Sequence, residues 1–407
     1  MSPRLVPAAQ WERNQYAVLL SVFISFLGFS FVQPFLPLYI RELGVADTGR
    51  AALLSGLTFG IAPLFSGLLA PVWGMLADRH GVKIMVQRAL LSFAVLNALM
   101  SMVGNPYQLL ALRAGIGIFG GFGPMTASLV TRGAPRHAVG TAIGRLQACQ
   151  ILAAALGPLM GGVIADTLGI RTTFLITATL CAVAFVAITA LFRESRADTA
   201  HRRAAPRLPV RRLFTLPGFL PLIAVLLLTQ FVDRGLGPVI PLFVAELDPT
   251  VPVASTAGAV FSVGSLVSAL AASQVGRLVG RYDARRLLPA ALVCGLFGIA
   301  PLVTVDGIWS LMATRVVFGL AVGTVATLAY SSATQVVPEA SRATAFGFLG
   351  SATSLATALG PLSAGALATF TLRTTFVVDT IVYAVAVGLG VMVSLRAPRL
   401  AHPADAP

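Results

Sequence analysis

PFLPLYIREL, residues 34–43, returns 204 positions later as PVIPLFVAEL, residues 238–247. Both copies read Pro-x-x-Pro-Leu, then an aromatic (Tyr39, Phe243), a β-branched residue (Ile40, Val244), one further position, and Glu-Leu. The echo is not isolated. ALGP stands at 155–158 and at 358–361, and IRTTFLI at 170–176 returns as LRTTFVV at 372–378. Arg113, Gly117 and Gly121 reappear as Arg315, Gly319 and Gly323. Gly74 and Leu76, followed by Arg79 and Lys83, reappear as Gly276 and Leu278, followed by Arg281 and Arg285. All these offsets lie between 202 and 204, so the 407-residue chain is written as two matching halves.

The solvent of those halves follows from composition. Hydrophobic residues make up 57% of the chain and charged residues 11%, with a mean hydropathy of +0.86. A soluble domain carries roughly 25% charged residues, so this chain cannot cover itself with a water-compatible surface. Lipid must solvate it. Apolar runs near 16–40, 51–76, 85–104, 107–131, 141–165, 170–192, 217–242, 256–275, 287–305, 308–332, 345–369 and 375–395 approach or exceed the roughly 20 residues that a crossing helix needs. Barrel strands would be shorter and strictly alternating. The expectation is an all-α membrane protein of twelve spans. The first run follows Arg4 and Arg13 without a small-residue cleavage pattern, and we read it as a retained span. Six spans per half, in the same order, make parallel repeats about an axis along the membrane normal. The expected division is 1–192 and 217–407, joined by a basic linker, 193–216.

A net charge of +14 raises the question of nucleic acid, and the placement of the charges answers it. Segment 193–212 has seven Arg against Glu194 and Asp198, loop 276–286 has four Arg against Asp283, and loop 131–145 carries Arg132, Arg136 and Arg145. Most alternate loops are neutral or acidic; loop 369–374, with Arg373 alone, and the balanced loop 333–344 depart from the trend. Counted by Lys and Arg, this asymmetry places both termini in the cytoplasm. The basic surplus is a topology signal, not a nucleic-acid surface. Cys149, Cys181 and Cys294 fall inside spans, and the four histidines fall in loops or tails. No metal spacing, nucleophile triad or phosphate loop is present in the sequence, so neither an enzyme nor a cofactor is expected.

Certain motifs resemble a known family. GMLADRHGVK (74–83) resembles the loop 2–3 motif of the major facilitator superfamily, G-x-L-a-D-R-x-G-r-k. ALGPLMGG (155–162) resembles the fifth-helix motif of its drug/proton antiporters, and LRAGIGIFGG (112–121) is similar to the fourth-helix motif that carries a membrane-embedded arginine. The resemblance covers nearly the whole chain. It implies two six-helix bundles that work by alternating access, with protons and a small molecule as partners, a monomeric state and a bacterial inner-membrane location. It also implies that Gly74, Asp78, Arg79, Gly81 and Lys83 latch the cytoplasmic faces together. The second copy has Gly280 in place of Asp78, so only the first half could make that aspartate's contacts.

On the fifth span, Gln147, Gln150, Ala154, Gly157 and Gly161 recur every three or four residues, and Pro158 removes a backbone donor. With Gly162, this small-residue face reads either as close packing or as a gate against the other half. Charges within spans are costly and mark function: Arg113, Arg145, Asp233, Arg234, Arg315 and Asp379. Arg145 is near enough to the cytoplasmic end to snorkel, and Asp379 sits close enough to the other end to be solvated. Asp233 is the single acid deep in a span. The resemblance places spans 1, 4, 7 and 10 around the central cavity, which would bring Arg113, Asp233, Arg234 and Arg315 into one space as a proton-coupling site. A static ion pair of Asp233 with Arg234 or Arg315 is the other reading. Phe26, Phe29 and Gln33 on span 1, with Gln230 and Phe231 on span 7, would wall a cavity with few polar hooks. Such a pocket suits amphiphilic compounds better than sugars. The expected activity is proton-coupled export; the alternative is an importer or a narrow-substrate metabolite exporter. A non-transporting scaffold would need no buried charges.

Overall fold

The computed structural model of the chain describes residues 8–131, 138–192, 214–216, 218–278, 284–338 and 341–395, and every regular element among them is helical. In order these are α1 (Ala8–Val32), α2 (Leu36–Glu42), α3 (Thr48–His80), α4 (Val82–Met100), α5 (Pro106–Ile118), α6 (Phe122–Thr131) and α7 (Val139–Leu168). The chain continues with α8 (Ile170–Leu191), α9 (Phe219–Leu247), α10 (Val253–Leu278), α11 (Ala284–Ile299), α12 (Ile308–Val336), α13 (Arg342–Leu367) and α14 (Leu372–Leu395). Lipid offers no partners to a bare backbone, so apolar runs of this length must be helical. Apart from 214–216, the basic linker lies outside the described residues.

Among the described residues eleven continuous segments are long and apolar enough to cross a bilayer, where the sequence predicts twelve. The difference is the fourth span. Its run breaks between α5 and α6 at Gly120–Gly121, and Gly121 has φ of 91°, a value that L side chains rarely adopt. The carbonyls freed by the break are taken up by side chains. The Trp73 indole N–H donates to the Ile118 carbonyl at 2.8 Å, and Arg88 donates to the Gly120 carbonyl at 2.9 Å. The Arg88 guanidinium lies 3.4 Å over the Trp73 ring, which holds both donors at the gap.

The repeats reappear in space. In the first half Tyr39 packs on Phe174, with centroids 5.1 Å apart; in the second, Phe243 packs on Phe376 at 5.0 Å. The arginines of the two Arg-Thr-Thr-Phe copies also match. Arg171 donates to the Val103 carbonyl (3.2 Å), and Arg373 to the Val303 carbonyl (2.8 Å). The opening echo itself diverges locally. Pro34 and Pro37 stand where a 3₁₀ turn, Gln33–Phe35, interrupts the first span, while Pro238 and Pro241 lie inside the continuous α9. Both copies are nevertheless buried, Pro238–Val244 throughout and Pro34–Ile40 except for the half-buried Leu38.

The two bundles touch at one end and part at the other. On α3, Gly49, Gly56, Gly67 and Gly74 lie along one side, at spacings that return to the same face of a helix. At Gly56 a β-carbon would overlap the Pro361 carbonyl of α13, and at Gly49 it would meet the Thr369 backbone. Beside Gly67 and Gly74 the space is open, as it is beside Gly347 and Gly350 of α13 and Gly144 of α7. Among the described glycines, close approach between the bundles lies at the end that carries the turns 43–47, 169 and 248–252, here called the closed face. The end with the α3–α4 turn at Gly81 is the open face.

Candidate transport site

Asp233 lies midway along α9 with its side chain 20% exposed. Its Oδ1 is 3.9 Å from Nη2 of Arg315 on α12, and its Oδ2 is 4.0 Å from Nε of Arg234. The two cations differ in kind. The Arg315 side chain is 6% exposed and that of Arg234 48%. Arg315 is held over two rings, with its guanidinium carbon 5.8 Å from the centroid of Phe261 and 5.6 Å from that of Phe318. Its Nε and Nη1 have no hydrogen-bond partner among the described residues. The pair is thus ionic and loosely made, without the bidentate hydrogen bonds that lock an arginine to a carboxylate.

Local packing makes room for this arrangement. Gly319, one turn along α12 from Arg315, packs on the backbone of Gly264 in α10. A β-carbon at Gly264 would stand 2.9 Å from Arg315 Nη2, so glycine there is what lets the guanidinium lie across α10. The site combines a half-open carboxylate, a fixed buried cation and an exposed one. Such a carboxylate can turn from its ion pairs to another ligand while staying in reach of solvent, and Arg315 then keeps only the faces of Phe261 and Phe318 as partners among the described residues.

Arg113 does not join this group. It is buried, and its Nε donates to the Thr58 carbonyl of α3 at 3.3 Å, in the turn before Pro63. The backbone carbonyl takes the place that a carboxylate holds in the second half. Asp379 also departs from expectation: it is 2% exposed, not solvated, and its Oδ2 has no hydrogen-bond partner among the described residues. Its helix, α14, packs between α9 and α11, a burial that distance from the end of a span does not reveal. Arg145 is exposed and donates to the Gln15 side chain at 2.9 Å.

The aromatic residues expected in a cavity form a cluster. Phe26 and Phe29 on α1 meet Phe122 of α6, and Phe29 also meets Phe93 of α4 edge-on at 4.9 Å. Both α1 rings are half-buried. Gln33 is exposed, Gln230 is buried, and Phe231 is half-buried with its carbonyl against Gly360.

The motif residues of the fifth span divide between two neighbours. Gly157 and Gly161 pack on Ser30 and Phe31 of α1 in their own half. Gly162 packs on Ala254 and Ser255 of α10, and the Pro158 carbonyl on Gly258. A bond crosses the same seam, from the Leu159 N–H to Ser262 Oγ at 3.0 Å. On the open face, Gly81 has φ of 91° and separates α3 from α4. Lys83 caps α8 of its own half, donating to the Phe192 carbonyl at 2.6 Å and the Thr189 carbonyl at 3.2 Å. Gly74 faces open space and Arg79 is exposed, whereas the side chain of Asp78 lies outside the described residues.

The family model of the Major Facilitator Superfamily matches residues 18–292 and 222–407. The chain belongs to that superfamily. It is 36% identical over 348 residues to the Multidrug resistance protein MdtG of Salmonella paratyphi A, covering 83% of this chain and 85% of that one. It is 34% identical over 391 residues to the protein of the same name from Salmonella heidelberg, covering 93% and 94%. Among solved structures, the fold is similar to a bacterial homologue of the human lysosomal transporter Spinster, in an inward-facing and occupied conformation. The TM-score is 0.82 at 16% identity, over 96% of this chain and 98% of that one. It is also similar to a mutant of the nucleoside transporter NupG, with a TM-score of 0.70 at 15% identity over 93% and 98%. The protein is a multi-pass secondary transporter of the major facilitator superfamily, not an enzyme.

Proposed function

We propose that this protein exports small, largely apolar or amphiphilic compounds across a bacterial inner membrane in exchange for protons, as a monomer working by alternating access. The observation that carries the reading is Asp233, a half-open carboxylate in the middle of a span, shared by a buried and an exposed arginine. In an exchanger one group must take a proton in one conformation and release it in the other, and the balance of burial and nearby cations sets that exchange. The relatives named for multidrug resistance support the export reading. The charge asymmetry of the loops assigns the open face to the cytoplasm, together with both termini and the 193–216 linker between the bundles 1–192 and 217–407. The molecule described is then open to the cytoplasm. When the open face closes, Gly74, Asp78 and Arg79 are carried towards the opposite bundle and serve as its latch, with Gly81 and Lys83 fixing the turn. Pro158 and Gly162 form the periplasmic gate, and Gly157 and Gly161 brace it on α1. The half-buried Phe26 and Phe29, with Gln33, Gln230 and Phe231, are the cavity surfaces that meet substrate as the bundles rock.

Everted membrane vesicles with an acidic lumen test this. Such vesicles containing the protein are expected to accumulate a hydrophobic fluorescent dye, and to release it when the pH gradient is collapsed. Accumulation that ignores the gradient, or no movement of any amphiphile by folded protein, overturns the reading.

A further inference from the structure

We propose that Asp166 is a conformational lock: it caps helix α10 from the opposite bundle and so holds the closed face shut. Asp166 stands at the end of α7, and its Oδ2 accepts from the Ser255 backbone N–H at 2.6 Å and from the Ser255 hydroxyl at 2.5 Å. Its Oδ1 accepts from the Ala254 N–H at 3.3 Å. These are the orphan donors of the first turn of α10, which begins at Val253. Helices ordinarily cap such donors with their own preceding side chain. Asp47 does so for α3, accepting from Arg50 N–H at 2.7 Å, and Asn105 for α5, accepting from Gln108 N–H at 3.0 Å. The residue before α10 is Pro252, which has no side-chain acceptor. Its cap comes instead from a residue 88 positions away in the other half.

The consequence is conformational. A cap made within one helix persists whichever face is open, and therefore favours neither state. A cap made between bundles exists only while the closed face is closed. It favours that state by the worth of the cap, strengthened because the acceptor is a carboxylate at a helix N-terminus. The second seam is built differently. At the place corresponding to Asp166, α13 ends near Thr369, which meets Gly49 of the already capped α3. Both seams are closely packed, and among the described residues the α7–α10 seam adds a carboxylate cap.

The inference rests on the alternating-access reading, but its test reads conformer populations and not proton drive, so the two fail separately. Spin labels at Ala46→Cys and Phe370→Cys, in a background without Cys149, Cys181 and Cys294, report the distance across the α3–α13 seam of the full chain in nanodiscs. Asp166→Ala is expected to raise the long-distance population about five- to tenfold, the factor that loss of a helix cap brings. Pro252→Ser, with Asp166 intact, gives α10 a cap of its own that survives opening, and is expected to raise the same population about two- to threefold. An unchanged distance distribution in folded Asp166→Ala protein overturns the proposal. Should that variant not fold, Pro252→Ser decides it alone, and an unchanged distribution there overturns it equally.

Discussion

The two halves are near copies, yet they differ where the chemistry sits. Asp233 of α9 corresponds, 204 positions earlier, to Phe29 of α1. Arg315 corresponds to Arg113 and Gly264 to Ala62, both at an offset of 202. In the first half the ring of Phe29 packs edge-on against Phe93 and Phe122, and Arg113 settles on a backbone carbonyl. In the second half a carboxylate replaces the ring, and a glycine in place of alanine lets Arg315 reach it. Duplication supplied two equivalent scaffolds. In the first, a ring and a backbone carbonyl hold these positions, and we propose that coupling belongs to the second.

That contrast can be broken from either side. Arg315→Ala should have the largest effect on stability, because it leaves Asp233 with only an exposed partner. We expect a loss of about 2–3 kcal/mol, below the roughly 3–5 of a fully buried pair since Asp233 reaches solvent and Arg234 remains. Gly264→Ala should follow at about 1–2 kcal/mol, as the new methyl displaces the guanidinium. Arg113→Ala, which removes a hydrogen bond but orphans no acid, should cost about 1 kcal/mol. Denaturation in detergent gives the order. Transport then sharpens it: the two second-half variants should alter the response to a pH gradient even at equal amounts of folded protein, and Arg113→Ala should not. Equal gradient dependence in all three would mean that the halves have not diverged in role.

Much of this is legible without coordinates. The apolar runs have to be helices, and the repeats require two equivalent bundles, because both facts rest on local sequence and on lipid as solvent. The interruption of the fourth span escapes, since a hydropathy run does not register a break whose carbonyls are rescued by Trp73 and Arg88 from other helices. The adjacent Gly120–Gly121, with Pro124 close behind, is the available signal. Span number alone groups Arg113 with Asp233, because it locates a residue on a cavity but not the neighbour its side chain chooses. Asp379 reads as solvated for a similar reason: its burial comes from other helices. Asp166 gives no sign at all. A cap read from sequence lies next to its helix, and this one arrives from the opposite half.

The claim on which the account depends is that Asp233 handles the proton. Asparagine keeps the shape of the side chain and cannot titrate. In everted vesicles carrying Asp233→Asn, matched to wild type for folded protein, dye uptake should lose its dependence on the imposed pH gradient, while the dye still binds to the purified variant. Undiminished, gradient-dependent uptake by Asp233→Asn would contradict the account and leave Asp233 a structural ion pair.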